Sequence, residues 1–136
     1  MTKPRYLLDT DTFVYIRRGR PEQARVRFDR LERGEAALSV VAYGELIYGI
    51  EKKATGPEPW RALEELTQMI QVLPLLPEAA NVYGSIRAEL TARGELIGAN
   101  DLWIAAHARL LDLTLVTNNE REFRRVPRLR IENWIK

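Results

Sequence analysis

Short apolar runs that alternate with stretches of helical periodicity limit how this chain folds. Tyr6-Leu7-Leu8 reads as a short buried strand, and Asp9-Thr10-Asp11-Thr12 after it offers capping side chains to a helix that opens at Phe13-Val14-Tyr15-Ile16. Gly19 and Pro21 break that helix. Pro21 suits the first turn of a second, which runs to about Arg33 before Gly34 stops it. Ala36 to Val40 is the next strand, and Val41 to Lys53 is helical in pattern. Thr55-Gly56-Pro57-Glu58-Pro59 reads as a loop. Trp60 to Ile70 reads as a helix with Leu63, Leu66, Met69 and Ile70 at helical spacing. Val72-Leu73-Pro74-Leu75 is a strand whose proline places it at a sheet edge. Pro77 opens a helix that ends near Arg93-Gly94, Ala99 to Leu111 forms another, Leu113 to Val116 is a strand, and Leu129 to Ile131 is a last short one. Strands alternating with helices predict an α/β domain with a central parallel sheet of four to five strands flanked by helices. The length of 136 residues fits one domain, 1–136, with a real core.

In sheets of this kind sites form beyond the carboxyl ends of the strands, and polar stations stand there. Asp9 ends the first apolar run, and Thr117-Asn118-Asn119 ends the run from Leu113 to Val116. Glu45 and Asp101 lie inside or near the start of predicted helices. Convergent carboxylates that cannot neutralise each other call for a divalent metal. Asp9 suits a first ligand and Asp101 a second, while the longer Glu45 can act through a water. Thr10, Thr117 and Asn119 can orient water or phosphate by hydrogen bonds. Each residue alone has a plainer reading. Asp9 suits a helix N-cap as well as a ligand, Asp101 shares that alternative, Glu45 suits a solvated helix face, and Glu120 and Glu122 suit pairing with nearby arginines. His107, Trp103 and Trp134 read as packing residues.

Cysteine is absent, which excludes disulfides, zinc–thiolate sites and thiol catalysis and fits a reducing cytoplasm. No signal peptide is read at Met1-Thr2-Lys3-Pro4-Arg5, and no apolar stretch is long enough to cross a bilayer. Net charge is only +2, yet arginines cluster at Arg17 to Arg33 and at Arg121 to Arg130. Arg17, Arg18, Arg121 and Arg124 follow the polar stations and are candidate phosphate contacts, since arginine suits bidentate contact with phosphate. Pairing with Glu22, Asp29, Glu32, Glu120 and Glu122 on solvated faces is the plainer account of any one of them.

Taken in order, these segments resemble PIN-domain ribonucleases. Tyr6-Leu7-Leu8-Asp9-Thr10-Asp11 resembles the opening strand of that family, and Val40-Val41-Ala42-Tyr43-Gly44-Glu45-Leu46-Ile47-Tyr48-Gly49 its second acidic motif, with a Glu-Leu-x-x-Gly ending. The segment from Ile97 to Ala108 resembles the third, and Leu115-Val116-Thr117-Asn118-Asn119 through Trp134 the closing segment. The likeness is strongest to the VapC toxins of bacterial type II toxin–antitoxin modules and covers nearly the whole chain. It implies a doubly wound PIN fold and a Mg2+- or Mn2+-dependent endoribonuclease. Asp9 and Asp101 would be the metal ligands and Glu45 the third acid. It also implies a homodimer, inhibition by a VapB-type antitoxin, and cleavage of the anticodon stem-loop of initiator tRNA.

Two departures matter. Many members carry Asn where this chain has Asp11, and many carry an acid where it has Asn119, so Glu120 or Glu122 is the candidate to supply the fourth carboxylate. Two alternatives remain. Leu7-Leu8-Asp9-Thr10-Asp11-Thr12 also fits the nucleophile motif of haloacid-dehalogenase-type phosphatases, with Asp9 as nucleophile and Asp11 as general acid. That family needs a later lysine and a closing pair of acids; the lysines here are only Lys3, Lys52, Lys53 and Lys136, and no Asp-Asp pair follows Val116. The other is a catalytically silent PIN-like module that binds RNA or an antitoxin.

Overall fold

The computed structural model describes residues 2–136. The elements follow as β1 (Tyr6–Leu8), α1 (Thr10–Arg18), α2 (Glu22–Asp29), β2 (Ala36–Ser39), α3 (Val40–Lys53), α4 (Glu58–Thr67), β3 (Gln71–Leu73), α5 (Glu78–Ala92), α6 (Ala99–Leu110), β4 (Thr114–Val116), α7 (Glu120–Phe123) and β5 (Ile131–Glu132). The strands form one parallel sheet in the order β3-β2-β1-β4-β5. Leu8 pairs with Leu38 on one side and Val116 on the other, so the ends of β1, β2 and β4 lie side by side. The proline-flanked strand β3 is at the edge, as its sequence predicts.

The central strands are buried on both faces, which is why they read as unbroken apolar runs. Leu7, Leu8, Leu38, Leu115 and Val116 have no exposed surface. Truncating one such leucine typically costs about 2–5 kcal/mol. The exposed Arg25–Asp29 pair at 3.1 Å contributes about 1 kcal/mol at most. The core holds the fold, and the arginine pairs decorate it.

Several boundaries differ from the sequence reading. β2 stops at Ser39, whose hydroxyl accepts from the Val41 N–H and caps α3, so Val40 opens a helix instead of ending a strand. α2 ends at Asp29, and Arg30 to Arg33 are turns. Glu58 and Pro59 belong to α4 because proline needs no donor partner in a helix's first turn. Gly19 ends α1 in the left-handed conformation, φ 70°, at the position where the sequence breaks.

Candidate active site

The sheet order reverses direction between β1 and β4, and such switch points form the crevice in which doubly wound folds place their sites. Asp9 stands on one side of it and Thr117 on the other. The Asp9 N–H donates to the Val116 carbonyl at 2.9 Å, continuing the ladder one step past β1. Its carboxylate accepts from the Thr10 N–H at 2.8 Å and from the Thr117 hydroxyl at 2.9 Å. Thr117 in turn accepts from the Asn119 N–H at 2.9 Å, and the Thr12 hydroxyl donates to the Val116 carbonyl at 3.1 Å. Asp9 therefore is the N-cap of α1. The same bonds clamp its carboxylate in one orientation at the strand edge, so capping and site formation are compatible uses of one side chain.

α3 and α6 bring the other acids. Glu45 is half-buried one and a half turns into α3, and accepts from the Thr10 hydroxyl at 2.9 Å. Asp101 lies in the first turn of α6, whose N-cap is Gly98, so neither Asp101 nor Asn100 is the cap. Burial first, then the neighbouring Asp11, pushes the Asp9 pKa up to about 7, against hydrogen bonds that lower it. Partial burial, then the charges of Glu122, Glu45 and Asp11, raises that of Asp101 to about 6. Asp11 is raised as well, chiefly by burial. The charges of Asp11 and Asp101 act on Asp9, and those of Glu122, Glu45 and Asp11 act on Asp101, so the five acids form one electrostatic cluster. Among the described residues no Lys or Arg pairs with any of the five.

The fourth station resolves clearly. The Asn119 side-chain amide donates to Glu122 Oε2 at 3.1 Å, and Glu122 faces Asp101. Glu120 does not join the acids. It accepts from Asn133 and pairs with Arg124 and Lys136, both at 2.7 Å, and Lys136 and Asn133 hold its pKa down to about 2. Arg124 is thereby occupied on a solvated face, while Arg121 has no carboxylate partner among the described residues. Arg25 and Arg27 pair with Asp29 and Glu132, as the plainer reading of the first cluster holds. Arg17 and Arg18, in the last turn of α1, have no carboxylate partner among the described residues.

His107 is buried on α6 and bonded to the Ser39 hydroxyl at 3.0 Å, and burial lowers its pKa. Trp103 stacks on Tyr83 at 3.9 Å, and Trp134 packs edge-on to Tyr6. All three are packing residues. Sequence reasoning passed over Ser39 as a cap because it lay inside a predicted strand; a serine directly before a helical period was the available signal.

The donor set fits a hard divalent cation: all oxygen, net negative and without a protein counter-charge. Among the described residues no three acids stand together closely enough to hold a metal ion by themselves. Magnesium does not require three, since it keeps several waters and takes one or two carboxylates.

Comparison with known proteins agrees with this geometry. A PIN domain family model matches residues 6–129. Ribonuclease VapC2 of Haemophilus influenzae is 40% identical over 131 residues, spanning 96% of this chain and 98% of its own length. The tRNA(fMet)-specific endonuclease VapC of Salmonella typhimurium is 38% identical over 130 residues, with the same coverage. In the crystal structure of DNA-bound VapBC from Salmonella typhimurium, a chain 38% identical superposes with a TM-score of 0.89 over 96% of this chain and 98% of its own. Such likeness over the full length sets the phosphatase alternative aside. The chain belongs to the PIN-domain family and, within it, to the VapC ribonucleases.

Proposed function

We propose that this chain is a metal-dependent endoribonuclease, the toxin of a type II toxin–antitoxin module, acting on the anticodon stem-loop of initiator tRNA. The observation that carries the reading is the cluster of five uncompensated carboxylates at the switch point of the sheet. The substrate is supported by the relatives named tRNA(fMet)-specific endonuclease. A VapB-type antitoxin is supported by the VapBC complexes among the structural neighbours. A homodimer in the cytoplasm completes the proposal; no described helix is long and apolar enough to cross a membrane.

Asp9 and Asp101 would hold Mg2+ or Mn2+, with Glu45 and Glu122 completing the charge around it. When bound, such an ion lowers the pKa of water and stabilises charge on a phosphoryl oxygen. Thr117 keeps Asp9 in register with β4, and Thr10 fixes one Glu45 oxygen so that the other is free to orient the attacking water. Attack forms the new P–O bond and breaks P–O3′, leaving a 5′-phosphate and a 3′-hydroxyl. Glu122→Gln is expected to weaken metal affinity about 10- to 100-fold, the usual cost of losing a supporting carboxylate. Titrating cleavage against magnesium measures it, and an unchanged midpoint would return the fourth station to Asn119 alone.

The test of the whole reading is to incubate the purified protein with total RNA in magnesium, in manganese and in EDTA, and to sequence the new 5′ ends. One dominant cut in a tRNA anticodon loop, lost in EDTA, is expected. RNA that binds but stays intact in both metals would favour the silent-module alternative.

A further inference from the structure

We propose that His107 is a positioning residue of the acid site: its bond to Ser39 fixes α6 against α3 and thereby sets how far Asp101 stands from Glu45. The proposal rests on the metal-dependent reading above and adds what keeps these two acids in place before an ion arrives.

The acids cannot hold each other. The charge of Glu45 acts on Asp101, so in their ionised forms the two push α3 and α6 apart. Glu45 is tied to Thr10 of α1, not to α6. Among the described residues the one hydrogen bond that joins α3 and its cap to α6 is His107 Nδ1 to Ser39 Oγ, at 3.0 Å. Ala42, Leu46, Leu102, Ala105 and Ala106 of the two helices lie in the same apolar core. Apolar contacts are non-directional, and a hydrogen bond fixes both a length and a direction.

Ser39 is a firm anchor. It is the last residue of β2 and the N-cap of α3, and its hydroxyl accepts from the Val41 N–H at 3.1 Å. That hydroxyl still has its own proton to give. Burial lowers the His107 pKa, so the ring is neutral at pH 7, with one donor and one acceptor nitrogen. The Pro74 carbonyl, just past β3, acts on the ring and can only accept. The ring proton is thereby assigned to Nε2, and Nδ1 takes the proton of the Ser39 hydroxyl. Nε2 itself has no hydrogen-bond partner, so the bond to Ser39 is the one the ring makes.

Packing accounts for where His107 lies, but not for this bond. His107 is 1% exposed and Ser39 0%, and Ile104, Ala105, Ala106 and Ala108 around the histidine in sequence are also fully buried. Apolar residues of the same shape at both positions would be nearly neutral for stability. What they would not supply is the fixed direction.

The contact has leverage on the site. Glu45 lies six residues beyond Ser39, and Asp101 six residues before His107, about 9 Å of helix rise in each case. Over so few turns a helix moves as a rod, and a displacement at the contact reaches both acids nearly undiminished. Functional constellations tolerate only about 0.5 Å of such error. These acids do not stand closely enough to hold an ion by themselves, so their spacing has little room to widen.

The experiment measures Mn2+ binding to the full chain by electron paramagnetic resonance of the free ion, beside thermal melts and cleavage of total RNA titrated with magnesium. His107→Leu is expected to weaken Mn2+ binding roughly tenfold, the low end of the loss seen when an outer partner of a metal site is removed. The magnesium midpoint of cleavage is expected to rise by the same factor. His107→Asn keeps an acceptor oxygen where Nδ1 stood and is expected to bind within about threefold of the parent. In a Ser39→Ala background, itself weakened roughly tenfold, His107→Leu is expected to add nothing, because both changes remove one bond. Ile104→Val loosens the core of the same helix without touching that bond, and is expected to melt lower yet bind Mn2+ as the parent does. Parental Mn2+ binding in His107→Leu and Ser39→Ala, with only the melting temperature lowered, would reduce the pair to a core contact and overturn the proposal. A His107→Asn protein as weak as His107→Leu, losses that multiply in the double variant, or an equal loss in Ile104→Val would overturn it too. If His107→Leu does not fold, Ser39→Ala and His107→Asn decide by the same criteria. A parent protein that binds no Mn2+ is the failure of the metal-dependent reading itself, and the positioning role goes with it.

Discussion

Asp9→Asn is expected to lower RNA cleavage by at least about 10³-fold while the protein stays folded. Loss of one oxyanion-hole donor typically costs 10² to 10³ in rate, and Asp9 would be a direct metal ligand. The fold should tolerate the change. An Asn oxygen can still accept from the Thr10 N–H, and only the Thr117 hydroxyl loses an acceptor, at a cost of about 1 kcal/mol. Against that, the variant removes a buried charge whose ionisation opposes folding above its pKa of about 7. At pH 8 its melting temperature is expected to equal or exceed that of the parent in EDTA, and to gain little from added magnesium. Circular dichroism melts beside a cleavage assay check both halves. Retained cleavage would reduce Asp9 to a helix cap, and so would lost cleavage that merely tracks unfolding.

The metal-free protein is expected to lose stability as pH rises from about 6.5 to 8, and magnesium or manganese to restore it. The sign follows from proton linkage. The folded Asp9 pKa of about 7 lies above the ordinary 3.8, so the folded state binds more protons and stability falls with rising pH until the folded pKa is passed. Roughly three pKa units at 1.36 kcal/mol each set the whole effect on the order of 4 kcal/mol as an upper bound, most of it lost between pH 3.8 and 6.5, and about 1 kcal/mol or less is left to be lost from pH 6.5 to 8. Asp101, raised to about 6 and only partly buried, adds a smaller loss at lower pH. His107 opposes both below its ordinary 6.5, because its pKa is lowered by burial. Glu120, lowered to about 2, acts only toward acid, where its stabilisation disappears as pH falls below 4.5. The window above pH 6.5 therefore belongs chiefly to Asp9. A metal held by ionised carboxylates stabilises more as pH rises; at 100 times its dissociation constant it contributes about 2.7 kcal/mol. Thermal melts in EDTA and in magnesium across that window read both trends. A melting temperature in EDTA that rises or stays flat from pH 6.5 to 8 would contradict the burial of an ionisable Asp9.

The alternation of apolar runs and helical periods was enough to place nearly every element, because strands buried on both faces leave a continuous apolar signature and surface helices a periodic one. Boundaries were less legible where one residue serves two elements. Ser39 closes β2 and caps α3, and its neighbour Val40 is a strand-favouring residue that opens a helix. Asp9 and Thr117 were legible because each stands at a polar break beside an apolar run, a local property of the chain, whereas Glu45 and Asp101, carried inside helices, stood out through the motifs they share with PIN domains.

What pairs with what was not local. The sequence by itself determined the α/β alternation, the parallel sheet and the acids at its edge. Tertiary structure decided that Thr117 clamps Asp9 across β1 and β4, and that Thr10 holds Glu45 from the neighbouring helix. It also decided between Glu120 and Glu122. Two residues apart on a helix, they point to nearly opposite sides. Burial of Phe123 sets how α7 is docked, turning Glu122 toward Asp101 and Glu120 toward Lys136. The acids are written in the sequence, but the charge each one meets depends on how the helices that carry them pack.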